Sequence, residues 1–220
     1  MYTKKYLVFS IFFCIFAFVS QFVMMIDLCN RLVDNNLSKE ELLPNIVVTK
    51  MSYEDAPVIV SLLSKSFGIH DEEEALRQLI FSDAQLDESV KVIDRRNGDI
   101  YGFLIFSKYP LHIGSPIMHM NARMGGFLAQ FKQINGHSFM LDERLRGVGI
   151  DKKMLYYNAD FLKQYEMIWL AVEESLRSGS YWKRLGFKEI MSIPEATFYV
   201  MFTNKNESEY IYDIVEQFKK

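Results

Sequence analysis

From Tyr6 to Ile26 the chain carries no charged residue, and only Ser10, Ser20 and Gln21 interrupt an otherwise apolar run. As a helix rising about 1.5 Å per residue it would span ~31 Å, matching the ~30 Å hydrocarbon thickness of a bilayer. Lys4 and Lys5 precede the run, and Asp27, Arg31, Asp34, Glu40 and Glu41 follow it. That charge bias predicts a cytoplasmic N-terminus with the rest of the chain translocated. A cleavable signal starts similarly, but Phe18-Val19-Ser20 lacks the small-x-small pattern of a cleavage site. A buried helix, or translation starting at Met24, Met25 or Met51, is the alternative. Residues 1–29 therefore read as a hydrophobic N-terminal segment, anchor or signal, and 30–44 as a polar linker or short surface helix.

Beyond it the pattern changes to short alternations of strand and helix. Ile46–Thr49 is β-branched and strand-like, and Ser52 with Asp55 resembles a capping box opening a helix through Val58, Ile59, Leu62 and Leu63. Asp71 is placed to cap a second helix over Glu72–Phe81. Val90–Asp94 and Tyr101–Ser107 bracket Asn97-Gly98, a hairpin signal. Lys108–Gly136, with its methionines, glycines and prolines, resists assignment and is long for a connection. Strands are expected at Ser138–Leu141, Met167–Val172, Phe187–Ile190 and Thr197–Phe202, the last pair antiparallel around Pro194. Helices are expected at Gly149–Tyr165, Tyr181–Leu185 and Glu207–Phe218. The whole predicts an α/β domain over 45–204, with a mixed, mostly antiparallel central sheet flanked by helices, preceded by the N-terminal hydrophobic helix. A C-terminal amphipathic helix occupies 205–220.

Composition narrows the chemistry. A chain of 220 residues that is 50% hydrophobic, 15% aromatic and 24% charged has the material for a sizeable core, which excludes disorder. A net charge of -3 offers no global attraction to nucleic acid, so none is expected as a partner. Both cysteines, Cys14 and Cys29, fall in or just after the apolar run. Residues 30–220 therefore hold no disulfide framework, cysteine nucleophile or thiolate zinc site. His112 and His119 lack nearby carboxylate partners in the sequence, and no metal is expected.

The candidate chemistry lies where an apolar strand ending Phe139-Met140-Leu141 passes through a glycine-containing turn into a helix that opens with Ile150 and Asp151. Gly147 and Gly149 permit a close backbone approach to a ligand, and the first amides of the new helix favour an anion. Arg144 and Arg146 add positive charge, as a phosphate-bearing ligand requires. A tight turn with solvated arginines is the plainer explanation of the same glycine spacing.

Arg144-Leu145-Arg146-Gly147-Val148-Gly149 resembles the R/Q-x-x-G-x-G/A pyrophosphate loop of the GNAT superfamily of acyl-CoA-dependent N-acetyltransferases. Tyr181-Trp182-Lys183-Arg184-Leu185-Gly186-Phe187 is similar to a second family segment, ending in a basic residue, a variable one, Gly and Phe. The resemblance spans roughly residues 46–202. It implies attack of an amine on the thioester of acetyl-CoA, used as a co-substrate, with a base for the amine and a donor for the thiolate. It further implies that amides from Arg146 through Gly147, Val148 and Gly149 to Ile150 hold the pyrophosphate, and that backbone at Met140 and Leu141 pairs with the pantetheine arm.

The sequence departs from the family at three positions: Trp182 where a donor tyrosine is usual, Ser175 where Asn is common, and Asp151 at the helix start. Tyr181 is the neighbouring candidate donor. His137, Glu143 and Glu173 are candidate bases; each is also explained as a structural or solvated residue, as is Glu174. The Met-rich segment would contribute to the acceptor pocket, with Met118, Met120 and Met124 expected as core filling. The expected function is acyl transfer to an unidentified amine; the alternative is a non-catalytic acyl-CoA-binding or interaction module on the same fold. Acyl-CoA is a cytoplasmic compound, whereas the charges around residues 6–26 predict a single-pass membrane protein with a translocated domain, so the two expectations conflict.

Overall fold

The computed structural model describes residues 38–66, 72–173 and 179–219. The apolar run Tyr6–Ile26, the cap Asp71, and Glu174 and Ser175 lie outside them. Among the described residues no helix is long and apolar enough to cross a membrane. In chain order the elements are α1 (Lys39–Leu42), β1 (Ile46–Lys50), α2 (Ala56–Ser66), α3 (Glu72–Phe81), β2 (Val90–Asp94) and β3 (Ile100–Ser107). Three short helices follow, α4 (Leu111–Gly114), α5 (Ile117–Met120) and α6 (Ala122–Leu128), then β4 (Gln133–Leu141), α7 (Ile150–Tyr157) and α8 (Ala159–Leu162). The chain continues through β5 (Met167–Glu173), α9 (Gly179–Arg184), β6 (Lys188–Ser192), β7 (Ala196–Phe202) and α10 (Lys205–Phe218).

These elements fall into two units. The first comprises residues 38–107 and Gly136–Leu162, the second Lys108–Asn135 and residues 163–219. Strand pairing runs β1-β2-β3-β4 in the first and β4-β5-β7-β6 in the second, β4 being common to both in a seven-stranded order. The pairs β1/β2, β2/β3, β5/β7 and β6/β7 are antiparallel and β4/β5 is parallel, giving the expected mixed, mostly antiparallel sheet.

In the first unit, local chemistry sets the element boundaries. The Ser38 side chain and Glu41 form a reciprocal capping box on α1, and Leu42 is fully buried, so part of the expected linker is ordered helix. The Ser52 amide donates to Asp55 Oδ2 at 2.8 Å ahead of α2, as the sequence predicts. The β2–β3 turn closes with Gly98 at φ 82°, where glycine has no Cβ to clash. Burial of Ile59, Leu62, Leu63, Leu79, Phe103, Ile105 and Met140 forms this unit's core. The helix expected over Gly149–Tyr165 breaks instead at Asn158, whose Nδ2 donates to Glu88 O at 2.7 Å. A tertiary bond thus ends α7 where helical periodicity alone would continue.

In the second unit, the unassigned Lys108–Gly136 stretch becomes α4–α6. Gln133 ties its ends together: Oε1 accepts the Leu111 amide at 2.8 Å and Nε2 donates to Leu128 O at 2.8 Å. Leu111, Ile117, Met124 and Leu128 enter one core with Trp169, Phe198, Val200 and Val215. Met124 fills the core as expected, but Met118 and Met120 are exposed at 37% and 59%, because turns as short as α5 can bury only one side. β4 begins at Gln133, earlier than expected at Ser138, because Gln133–Asn135 pair with Met167–Trp169 of β5.

Candidate functional site

The site begins at an irregularity in β3. Val92 pairs with Gly102 and Ile93 with Ile100, which leaves Tyr101 as the bulged residue. The Tyr101 carbonyl accepts the Asp142 amide at 2.8 Å, fixing the chain as it leaves β4. Next to the bulge the strands run very close: a Cβ on Gly102 would meet Met140 O at 2.7 Å. Glycine at 102 is therefore what lets β3 support this end of β4.

Asp142 then caps a single 3₁₀ turn, Glu143–Leu145. Its Oδ1 accepts the Arg144 amide at 2.9 Å and Nε at 3.0 Å, and Oδ2 accepts Nη2 at 2.9 Å. The Arg144 guanidinium also lies over the Tyr101 ring, 5.6 Å from its centroid. Leu145 and Ile150 are buried anchors on either side of Arg146, Gly147 and Val148, which are exposed. Arg146 Nε donates to Leu141 O at 3.2 Å. Gly147 and Gly149 adopt φ 73° and 84°, and a Cβ at either would meet nothing within 4 Å. The space beside them is open to a ligand.

Gly149 is the N-cap of α7 and, having no side chain, gives that helix no side-chain cap bond. A helix start leaves its first amides without an intrahelical acceptor. Asp151 sits half-buried in that first turn. The arrangement is a raised, cationic, amide-rich turn suited to a phosphate, since N–H groups and dipole act in the same sense.

The first unit thus brings together Met140, Leu141, Arg144, Arg146, Gly147, Val148, Gly149 and Ile150. Met140 and Leu141 are buried at the end of β4, and Glu143 is exposed on the 3₁₀ turn. His137 is buried within β4, with Nδ1 2.8 Å from Ser138 Oγ. Burial lowers its pKa to about 4, so it is neutral at physiological pH. In the second unit, Trp182 is buried on α9, edge-on to Tyr181 at 5.0 Å and to Phe187 at 5.5 Å between centroids. Tyr181 is half-buried. Glu173 closes β5, and Ser175 lies outside the described residues.

Sequence reasoning missed Asp142 and Tyr101. The available signal was an Asp at a strand end two residues before an Arg, a spacing repeated at Asp94 and Arg96. Asp94, likewise without exposed surface, accepts the Arg96 amide at 2.9 Å and Nε at 3.0 Å. Its hydrogen bonds from the Arg96 side chain hold its carboxyl below the ordinary range, against the opposing effect of burial.

No family model matches the sequence, and no curated protein does. Among solved structures, Arabidopsis thaliana NAA60 in complex with acetyl-CoA is 16% identical over 72% of this chain and 99% of its own, with a TM-score of 0.51. FeeM, an N-acyl amino acid synthase from uncultured soil microbes, is 12% identical over 73% of this chain and 92% of its own, also at 0.51. SsHAT is 11% identical over 74% and 100%, again at 0.51. The likeness is one of fold: this chain has the fold of the GNAT acetyltransferases.

Proposed function

We propose that the protein is an acyl-CoA-dependent N-acyltransferase, moving an acetyl or related acyl group to an amine. The observation that carries this is the Arg146–Gly149 turn: exposed, with two left-handed glycines facing open space at an uncapped helix start, on a GNAT fold. A nucleotide pyrophosphate fits that cradle, because it supplies acceptors to the first amides of a helix that starts without a side-chain cap.

Acyl-CoA supplies an activated thioester. The amides from Gly147 to Ile150 hold its pyrophosphate, whereas the Arg146 amide, expected to join them, donates instead to Glu143 O at 3.1 Å; β4 backbone at Met140 and Leu141 orients the pantetheine arm. The amine attacks the thioester carbon; a C–N bond forms, the C–S bond breaks, and the sulfur leaves as thiolate. One proton must leave the amine and one must reach the sulfur. His137, neutral at physiological pH, and the exposed Glu143 are the candidate acceptors, and Tyr181 the candidate donor.

A second reading, binding without turnover, is favoured by Trp182, which stands where the family's tyrosine is usual and is buried edge-on between two aromatic rings. Calorimetric titration of the full chain with acetyl-CoA tests the binding, with Gly147→Val/Gly149→Val expected to abolish it. Unchanged affinity in that variant would sink the cofactor assignment. Thiol release with a panel of amines separates the two readings, and Tyr181→Phe should lower the rate if Tyr181 is the donor.

We also propose a membrane span for residues 6–26 with the domain on the cytoplasmic side, where acyl-CoA is available, against the charge bias around the span. Protection of the domain from external protease in intact cells is the expected result.

A further inference from the structure

We infer that Asp142 is a positioning residue for the Arg146–Gly149 turn: it turns Arg144 into a brace against β3 and leaves Arg146 as the arginine that meets an anion. The anion half of this rests on the acyl-CoA reading. Asp142 has no exposed surface, and its carboxylate engages Arg144 through the main chain, Nε and Nη2. A guanidinium bound on two nitrogens by a carboxylate exerts little net pull on a second anion, because the pair is close to neutral.

The brace has three further attachments. The Asp142 amide is held by Tyr101 O at 2.8 Å, the Arg144 guanidinium lies over the Tyr101 ring, and the next residue, Leu145, is fully buried. The chain up to Leu145 is therefore fixed by main chain, side chain and core. Arg146 differs: it is exposed, its Nε is oriented by Leu141 O at 3.2 Å, and no carboxylate shares its charge among the described residues. The same Asp-x-Arg unit closes the hairpin at Asp94 and Arg96, where no ligand chemistry is assigned, which marks it as a device for holding turns.

The decisive measurement is amide hydrogen exchange in the ligand-free full chain. Asp142→Asn is expected to speed exchange across Gly147–Ile150 by about tenfold, with the Asp94 hairpin unchanged. Arg144→Lys keeps the charge, loses the forked geometry and preserves the fold, and should have the same local effect. Unchanged exchange at Gly147–Ile150 in both variants overturns the brace. With acetyl-CoA as probe, Arg146→Gln should flatten the salt dependence of binding, whereas Arg144→Gln should weaken binding with that dependence intact. The Asp142→Asn/Arg144→Gln double variant should be no weaker than the weaker single one. A salt dependence flattened by Arg144→Gln would make Arg144 a ligand and overturn the assignment of roles. Absence of acetyl-CoA binding in the unaltered protein would sink the acyl-CoA reading, and exchange alone would then decide the brace.

Discussion

The buried carboxylate of Asp142 accepts the main-chain amide of Arg144 at 2.9 Å and its Nη2 at 2.9 Å, so one short turn holds a charge and its counter-charge together. The two partners differ in access to water, because the Asp142 side chain is 0% exposed and that of Arg144 20%. Arg144→Ala therefore strands a carboxylate that cannot reach solvent, and should cost about 3–5 kcal/mol. Asp142→Ala should cost less, since the longer arginine can turn outward. Urea unfolding of both variants checks the order; equal losses would contradict it.

His137 makes stability depend on pH. Its pKa falls from 6.5 to about 4 on folding, through burial. Between those values the unfolded chain binds a proton that the folded chain does not, so this stability is present above the unfolded value and is lost as pH falls. Going from pH 7 to 5 should cost about 2 kcal/mol through this residue alone. The drop should be smaller by that amount in His137→Gln, measured by urea unfolding at both pH values. An identical drop in the two proteins would show that the histidine is not held neutral.

Two glycines give opposite expectations for the same substitution. Gly102→Ala would bring Cβ to 2.7 Å from the Met140 carbonyl, which is backbone and cannot move aside cheaply. A loss of about 1–3 kcal/mol is expected. Gly126 lies inside α6 with nothing within 4 Å of its Cβ position. Gly126→Ala should stabilise by about 0.5–1 kcal/mol through helix propensity and a less flexible unfolded chain. Melting temperatures should move in opposite directions.

Trp182 and Tyr181 are adjacent but differ in weight. Trp182 is 5% exposed and packed edge-on against Tyr181 and Phe187. Trp182→Ala should cost about 3–5 kcal/mol, and Tyr181→Ala clearly less because that side chain is only half-buried. Comparable losses, read by thermal unfolding, would mean that the α9 packing is not as described.

Features whose causes lie within a few residues were legible in the sequence. The Ser52–Asp55 cap, the Gly98 turn and the left-handed pair Gly147 and Gly149 follow from side chains bonding their own backbone and from glycine's missing Cβ, and each stands where the sequence puts it. The glycine turn also carried the resemblance that the fold supports. Tertiary structure decided what depends on partners far along the chain. The Tyr101 bulge needs the register of β2, the end of α7 needs Glu88 for Asn158, and the ordering of Lys108–Lys132 needs Gln133 to join Leu111 to Leu128. The division of labour between Arg144 and Arg146 is of the same kind. Both arginines read alike as charges beside a glycine turn, and only the burial of Asp142, which the packing of β3 against β4 imposes, sets them apart.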